Sequence, residues 1–114
     1  MKLLKLGMKR AFFKVLATTD ASQAAVMVLA PGQTTGKPDN EHPGAEQWLF
    51  VVSGQGKAVV GQRHVELASE SLLLVERDEV HQIVNDGRAP LVTVNFYVPP
   101  AYRLDDEVRH SVRK

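Results

Sequence analysis

Two histidines and a side-chain amide carry the chemistry this sequence can offer. His42 lies in Asn40-Glu41-His42-Pro43-Gly44-Ala45-Glu46-Gln47, and His81 opens His81-Gln82-Ile83-Val84-Asn85. Imidazole nitrogen and amide oxygen are donors for divalent ions of borderline hardness, and one His from each of two neighbouring β-strands is a way for a barrel to hold such an ion. The alternative for His42 and His81 is a pair of hydrogen-bonded interior histidines with no ion. Cys is absent, which excludes a thiolate site and a disulfide framework. There is no glycine-rich phosphate loop, no serine elbow and no Cys to pair with His. Carboxylates occur as neighbours in turns, without a sign that two face each other across a cleft. His64, in the turn Gly61-Gln62-Arg63-His64, is expected to be solvated, and His110 belongs to a charged tail.

The elements that must position these residues read as short strands. Ala11 to Thr19 and Gln23 to Ala30 are apolar runs joined by Asp20-Ala21-Ser22, a hairpin signature. Glu46 to Val52 is aromatic and β-branched, and stops at Ser53-Gly54-Gln55-Gly56. Lys57 to Val60 follows, and the two suggest a second hairpin. Val65 to Leu67, Leu72 to Val75, Val80 to Val84 and Leu91 to Val98 complete the series. Such spacing predicts an all-β sandwich or barrel. Met1 to Leu16 also admits a helical reading. Pro99-Pro100 ends the last strand, so residues 1–102 form one domain and 103–114 a charged tail, read as a short helix or a frayed end.

Alternation then decides which side chains meet. Gln47, Leu49 and Val51 share one face, and Trp48, Phe50 and Val52 the other. A strand apolar on both faces is covered on both, so Trp48 and Phe50 suggest a homodimer, with covering by the N-terminal strands 1–30 as the alternative. If the face of His81, Ile83 and Asn85 is the inner one, His81 lies in an apolar interior beside Gln47. Asn85 is expected to fix the turn before Asp86-Gly87. In the last strand Val92, Val94 and Phe96 are the more apolar set and are expected in the core, against Thr93, Asn95 and Tyr97. Tyr102 is expected either to fold over a barrel end or to act as a packing plug.

A chain of 114 residues with 44% hydrophobic content fits a single domain. The net charge of +1 excludes a strongly basic nucleic-acid binder, and basic residues are not interleaved with aromatics as on a nucleic-acid platform. Residues 1–14 carry five basic residues and no acid, read as edge-strand protection. Asp39, Glu41, Glu46, Glu76, Asp78 and Glu79 border the histidine stretches, either as an acidic mouth or as ordinary wet turns. No apolar run is long enough to span a bilayer and no signal-like block opens the chain, so a soluble cytoplasmic protein without membrane or nucleic-acid partners is expected.

Residues Gly36 to Gly54 and Glu70 to Asn85 resemble the two motifs of the cupin superfamily, small β-barrels that often hold one metal ion. The first motif runs His-x-His, three or four residues, Glu, six residues, Gly; here it reads Asn40-x-His42, four residues, Gln47, six residues, Gly54. The second ends Pro-x-Gly-x-x-His-x-x-x-Asn; here it reads Glu76-x-Asp78-x-x-His81-x-x-x-Asn85. The resemblance implies a cupin double-stranded β-helix, a jelly-roll barrel in one domain. It also implies a metal set of His42, Gln47 and His81, with Asn40, Glu41 or Glu46 as a weak fourth ligand. Asn40 replaces a family His and Gln47 a family Glu, and each change weakens binding of the ion. Fe, Mn, Ni, Cu and Zn all suit His and amide oxygen. Two functions follow. One is a metal-dependent enzyme of dioxygenase or isomerase type acting on a small oxygenated molecule, with Glu41 or Glu46 as proton carrier. The other is a non-catalytic small-ligand binding or sensing barrel with a degenerate metal site.

Overall fold

The computed structural model describes residues 1–7, 13–36 and 44–102, and the backbone of 108–109. Nine strands follow in order: β1 (Phe13–Thr18), β2 (Gln23–Leu29), β3 (Glu46–Ser53), β4 (Gly56–Val60), β5 (Arg63–Leu67), β6 (Leu72–Val75), β7 (His81–Val84), β8 (Leu91–Val98) and β9 (Val108–Arg109). There is no helix among the described residues, so the helical reading of the N-terminus is not met where the chain is described: residues 1–7 carry no regular structure and β1 is extended.

The strands form a six-stranded sheet, β6-β3-β8-β2-β1-β9, and a three-stranded sheet, β5-β4-β7, with every pairing antiparallel. One apolar cluster joins them. Ala58, Leu67 and Ile83 from the small sheet pack with Ala25, Met27, Leu29, Leu49, Val51 and Leu91 from the large one. The two inner faces therefore close on a single core, the condition for burying enough apolar surface in so short a chain.

The first hairpin forms as expected. Thr19 ends it by accepting hydrogen bonds at Oγ1 from the Ala21 and Ser22 backbone N–H groups, at 3.2 and 3.0 Å. The second hairpin does not form. β3 pairs with β6 and β8, whereas β4 pairs with β5 and β7. Ser53 to Gly56 hands the chain from one sheet to the other. Gly54 has φ +89°, and a Cβ there would overlap the carbonyl oxygen of Pro90; a Cβ at Gly56 would overlap that of Val84. Glycine lets the chain cross this close to the start of β8 and the end of β7.

The tail also departs from expectation. Val108 and Arg109 pair with Lys14 and Phe13, so a strand forms where a helix or frayed end was read. Just before the tail, Gln23 is 1% exposed and uses both ends of its amide. Its Nε2 donates to Thr18 Oγ1 and to the Tyr102 carbonyl at 2.9 and 2.8 Å, while its Oε1 accepts from the N–H groups of Ala101 and Tyr102 at 3.2 and 2.9 Å. Tyr102 is thereby pinned against Phe13 and Tyr97, with ring centroids 4.8 and 5.0 Å apart. It is a packing plug.

Candidate functional site

Alternation along β3 turns Gln47, Leu49 and Val51 inward, at 4%, 0% and 0% exposure, and leaves Trp48 and Phe50 at 37% and 36%. β8 runs beside it, with Gln47 opposite Tyr97, Leu49 opposite Asn95 and Val51 opposite Thr93. The inner face of β8 is therefore Leu91, Thr93, Asn95 and Tyr97, and Phe96 is exposed. This reverses the expected parity. The register with β3 and β2, not the hydropathy of β8 alone, decides which side faces in, and it places three polar-capable side chains in the interior.

Those polar groups are joined. The Gln47 Nε2 donates to Asn95 Oδ1 at 2.8 Å, the Asn95 Nδ2 donates to Thr93 Oγ1 at 3.0 Å, and the Thr93 hydroxyl donates to the Met27 carbonyl at 3.3 Å. Buried amides need such partners, because an unmet polar group in the core costs about 1–3 kcal/mol. Sequence reasoning passed over Thr93 and Asn95 as site neighbours; the available signal was a polar alternation inside an otherwise apolar strand.

His81 opens β7 on the small sheet and is half-buried, sharing its face with Ile83 and Asn85, which are 1% and 0% exposed. That face is the inner one, which meets the condition the sequence left open. The His81 Nδ1 lies 3.1 Å from the Glu79 carbonyl, an acceptor, so Nδ1 donates there and this bond leaves Nε2 at the other side of the ring. Metal-binding histidines are commonly oriented in this way. Asn85 does fix its turn: its Nδ2 donates to the carbonyls of Leu29 and Ala89, and its Oδ1 accepts from the Gly87 N–H.

The turn before His81 explains two departures from the motif. Asp78 stands at the motif glycine with φ +64°, a conformation Asp tolerates better than most residues. Its Oδ1 accepts a hydrogen bond from the Gly44 N–H at 3.2 Å, and the Glu79 Oε1 accepts from the Glu76 N–H at 2.8 Å. Of the acids at the expected mouth, Glu79 thus serves its own turn and Asp78 ties that turn to Gly44. Glu46 is half-buried and lies, by alternation, on the side of β3 opposite Gln47.

Asn40, Glu41 and His42 lie outside the described residues, as do Asp39 and His110. The residues that flank the His42 segment are described. At its start, the Gln82 Nε2 donates to the Gly36 carbonyl, and Thr35 is bonded to Ile83 through its N–H and its hydroxyl oxygen, both at 3.0 Å. At its end, Gly44 is held by Asp78. Gly36 and Gly44, the described residues next to this segment, are thus bonded to Gln82 and Asp78, which lie on either side of His81 in sequence. Among the described residues no three His, Asp or Glu side chains gather as a metal-holding group. His64 is exposed on β5.

Residues 25–97 match the family model described as a cupin domain. The chain belongs to the cupin family. This cupin resembles a Bacillus halodurans protein of known structure with 27% identity and a TM-score of 0.77, over 93% of this chain and 80% of that one. It is also similar to a Klebsiella pneumoniae protein with a double-stranded β-helix domain, at 23% identity and a TM-score of 0.68 over 77% of this chain and 76% of that one. A predicted oxalate decarboxylase from Thermotoga maritima aligns at 20% identity with a TM-score of 0.69, over 77% and 79% of the two chains. The comparison with curated proteins gave no match. No helix of the described residues is long and apolar enough to cross a membrane.

Proposed function

We propose that this cupin holds one divalent transition metal ion, of the set Fe, Mn, Ni, Cu and Zn, on His42, Gln47 and His81, and through it binds a small oxygenated molecule. The observation that carries the reading is the anchoring of the His42 segment at both ends to residues flanking His81, through Gln82 to Gly36 and through Asp78 to Gly44. Two further features suit an ion. His81 is oriented through Nδ1 by the Glu79 carbonyl, and Gln47 is oriented through its amide nitrogen by Asn95.

Within this reading His81 and Gln47 supply donors from opposite sheets, Glu79 orients the His81 ring, and water or a residue of the 40–41 pair completes the set. Glu41 remains the candidate proton carrier, since Glu46 lies on the side of β3 away from Gln47. A bound ion would supply Lewis-acid polarisation of a ligand oxygen. The reading covers a metal-dependent enzyme and, as the alternative, a non-catalytic small-ligand barrel, because one barrel supports many activities. Cytoplasmic location belongs to the same proposal.

Metal titration of the purified protein tests it. His42→Ala and His81→Ala are each expected to abolish stoichiometric Ni²⁺ uptake while leaving the far-ultraviolet circular dichroism unchanged. Uptake that survives both substitutions removes the site. Turnover of a substrate by the loaded protein would then separate the enzyme from the binding module.

The outer face of the large sheet supports a second part of the proposal, a homodimer. Trp48 is paired with Leu74 and Phe96, and Phe50 with Leu72 and Val94, so these side chains form one patch across β6, β3 and β8. Trp48, Phe50, Phe96 and Leu72 remain 37%, 36%, 42% and 60% exposed. A contiguous aromatic patch without charge at its centre is the composition of an interface core, and a sheet face docking on its own copy is self-complementary by symmetry.

A further inference from the structure

Among the described residues five polar side chains are buried: Gln23, Gln47, Asn85, Thr93 and Asn95. Gln23 and Asn85 are used on loops and on the plug. The remaining three form a series with a defined direction. The Met27 carbonyl can only accept, so the Thr93 hydroxyl directs its single proton there. The Thr93 oxygen must then accept from Asn95, which turns the Asn95 amide nitrogen toward Thr93 and its Oδ1 toward Gln47. Gln47 has to answer with its own amide nitrogen. The backbone of β2 thereby sets which way the carbonyl oxygen of Gln47 points, an orientation that an isolated amide does not fix.

We infer that Asn95 and Thr93 are positioning residues that hold Gln47 as a neutral donor of fixed polarity, and that glutamine is the residue this interior is built for. The inference deepens the metal-site reading and rests on it only for the use made of the Gln47 oxygen. The family glutamate would not fit the series as it stands. A carboxylate has no proton to give Asn95 Oδ1, so Asn95 and Thr93 would both have to reverse, the Met27 bond would be given up, and a charge would be buried where none is now. Gln47 is thus a matched replacement, and its partners sit on a strand 48 residues away in sequence.

The test is a double-substitution cycle on the metal-free protein in chelator, read by urea unfolding, followed by Ni²⁺ titration of the same variants. Gln47→Leu is expected to lower the unfolding midpoint clearly in the wild-type background, where it strands Asn95 Oδ1 without a donor, and much less in the Asn95→Ala background, where no Oδ1 is left to strand. Equal losses in both backgrounds overturn the inference. Asn95→Ala and Thr93→Val should each weaken Ni²⁺ binding about 10- to 100-fold, as loss of groups that orient a ligand does. Thr93→Ser, which keeps the hydroxyl, should stay near wild type; a Thr93→Ser variant as weak as Thr93→Val overturns it. Should Asn95→Ala fail to fold, protection of the Gln47 side-chain amide protons from exchange with solvent in the wild type, lost in Thr93→Val and kept in Thr93→Ser, supports the series, and unprotected protons in the wild type overturn it. If the wild type takes up no Ni²⁺, the metal reading falls while the unfolding cycle still decides the series.

Discussion

The two faces of β3 and β8 contrast in a sense opposite to the usual one. The interior carries Gln47, Thr93 and Asn95, while the outside presents Trp48, Phe50, Phe96 and Leu72 to solvent. A buried amide series is costly unless every member is satisfied, and an exposed ring forgoes the ~1.5–3 kcal/mol that burial would contribute. The contrast teaches that hydropathy alone does not assign the two faces: the polar side chains are admitted to the interior because they bond one another and the Met27 carbonyl.

Three substitutions break or sharpen that contrast. Leu49→Ala, on the inner face, should lower the unfolding free energy by ~2–5 kcal/mol in urea titration, because the fully buried side chain leaves a cavity between two sheets. A loss under about 1 kcal/mol would mean that this face is not the tightly packed one. Trp48→Glu, one residue earlier on the outer face, should change the stability of the monomer by no more than about 0.5 kcal/mol, yet convert a dimeric species to a monomer in sedimentation. A wild type already monomeric at micromolar concentration would sink the homodimer. The smallest change is expected at Asp78→Gly. Glycine adopts a φ of +64° without strain, so the fold should be unaffected, while loss of the bond to Gly44 should weaken Ni²⁺ uptake severalfold. Unaltered uptake would show that the Gly44 tether does not serve the site.

How far the sequence predicts this molecule depends on the range of the forces that decide each feature. β2, β3 and β8 are legible because their apolar runs end at Gly, Pro or Ser, and β6 because its run stops at the charged stretch from Glu76. Alternation groups Gln47 with Leu49 and Val51, and His81 with Ile83 and Asn85, but which group faces inward is decided by how the two sheets close. The parity of β8 is not legible, because Val92, Val94 and Phe96 outweigh Thr93, Asn95 and Tyr97 in hydropathy, and the polar set is admitted to the interior by partners on β2 and β3. The absence of a β3–β4 hairpin likewise depends on Pro90 and Val84, which crowd Gly54 and Gly56 from distant parts of the chain. β9 is invisible in so charged a segment until its partner at Phe13 and Lys14 is known. Of the proposed ligands, the structure describes Gln47 and His81, and the remainder of the set follows from the motif.

The clamp made by Gln23 has a practical bearing on how this protein is shortened or fused. The family match covers residues 25–97 and so leaves out both halves of that clamp, Gln23 on one side and Tyr102 on the other. An expression boundary drawn at the match would strip two hydrogen-bonded ends from the same corner and leave the ring of Tyr97 without its cover. A linker or affinity tag is better attached beyond Arg109, which keeps both the plug and β9.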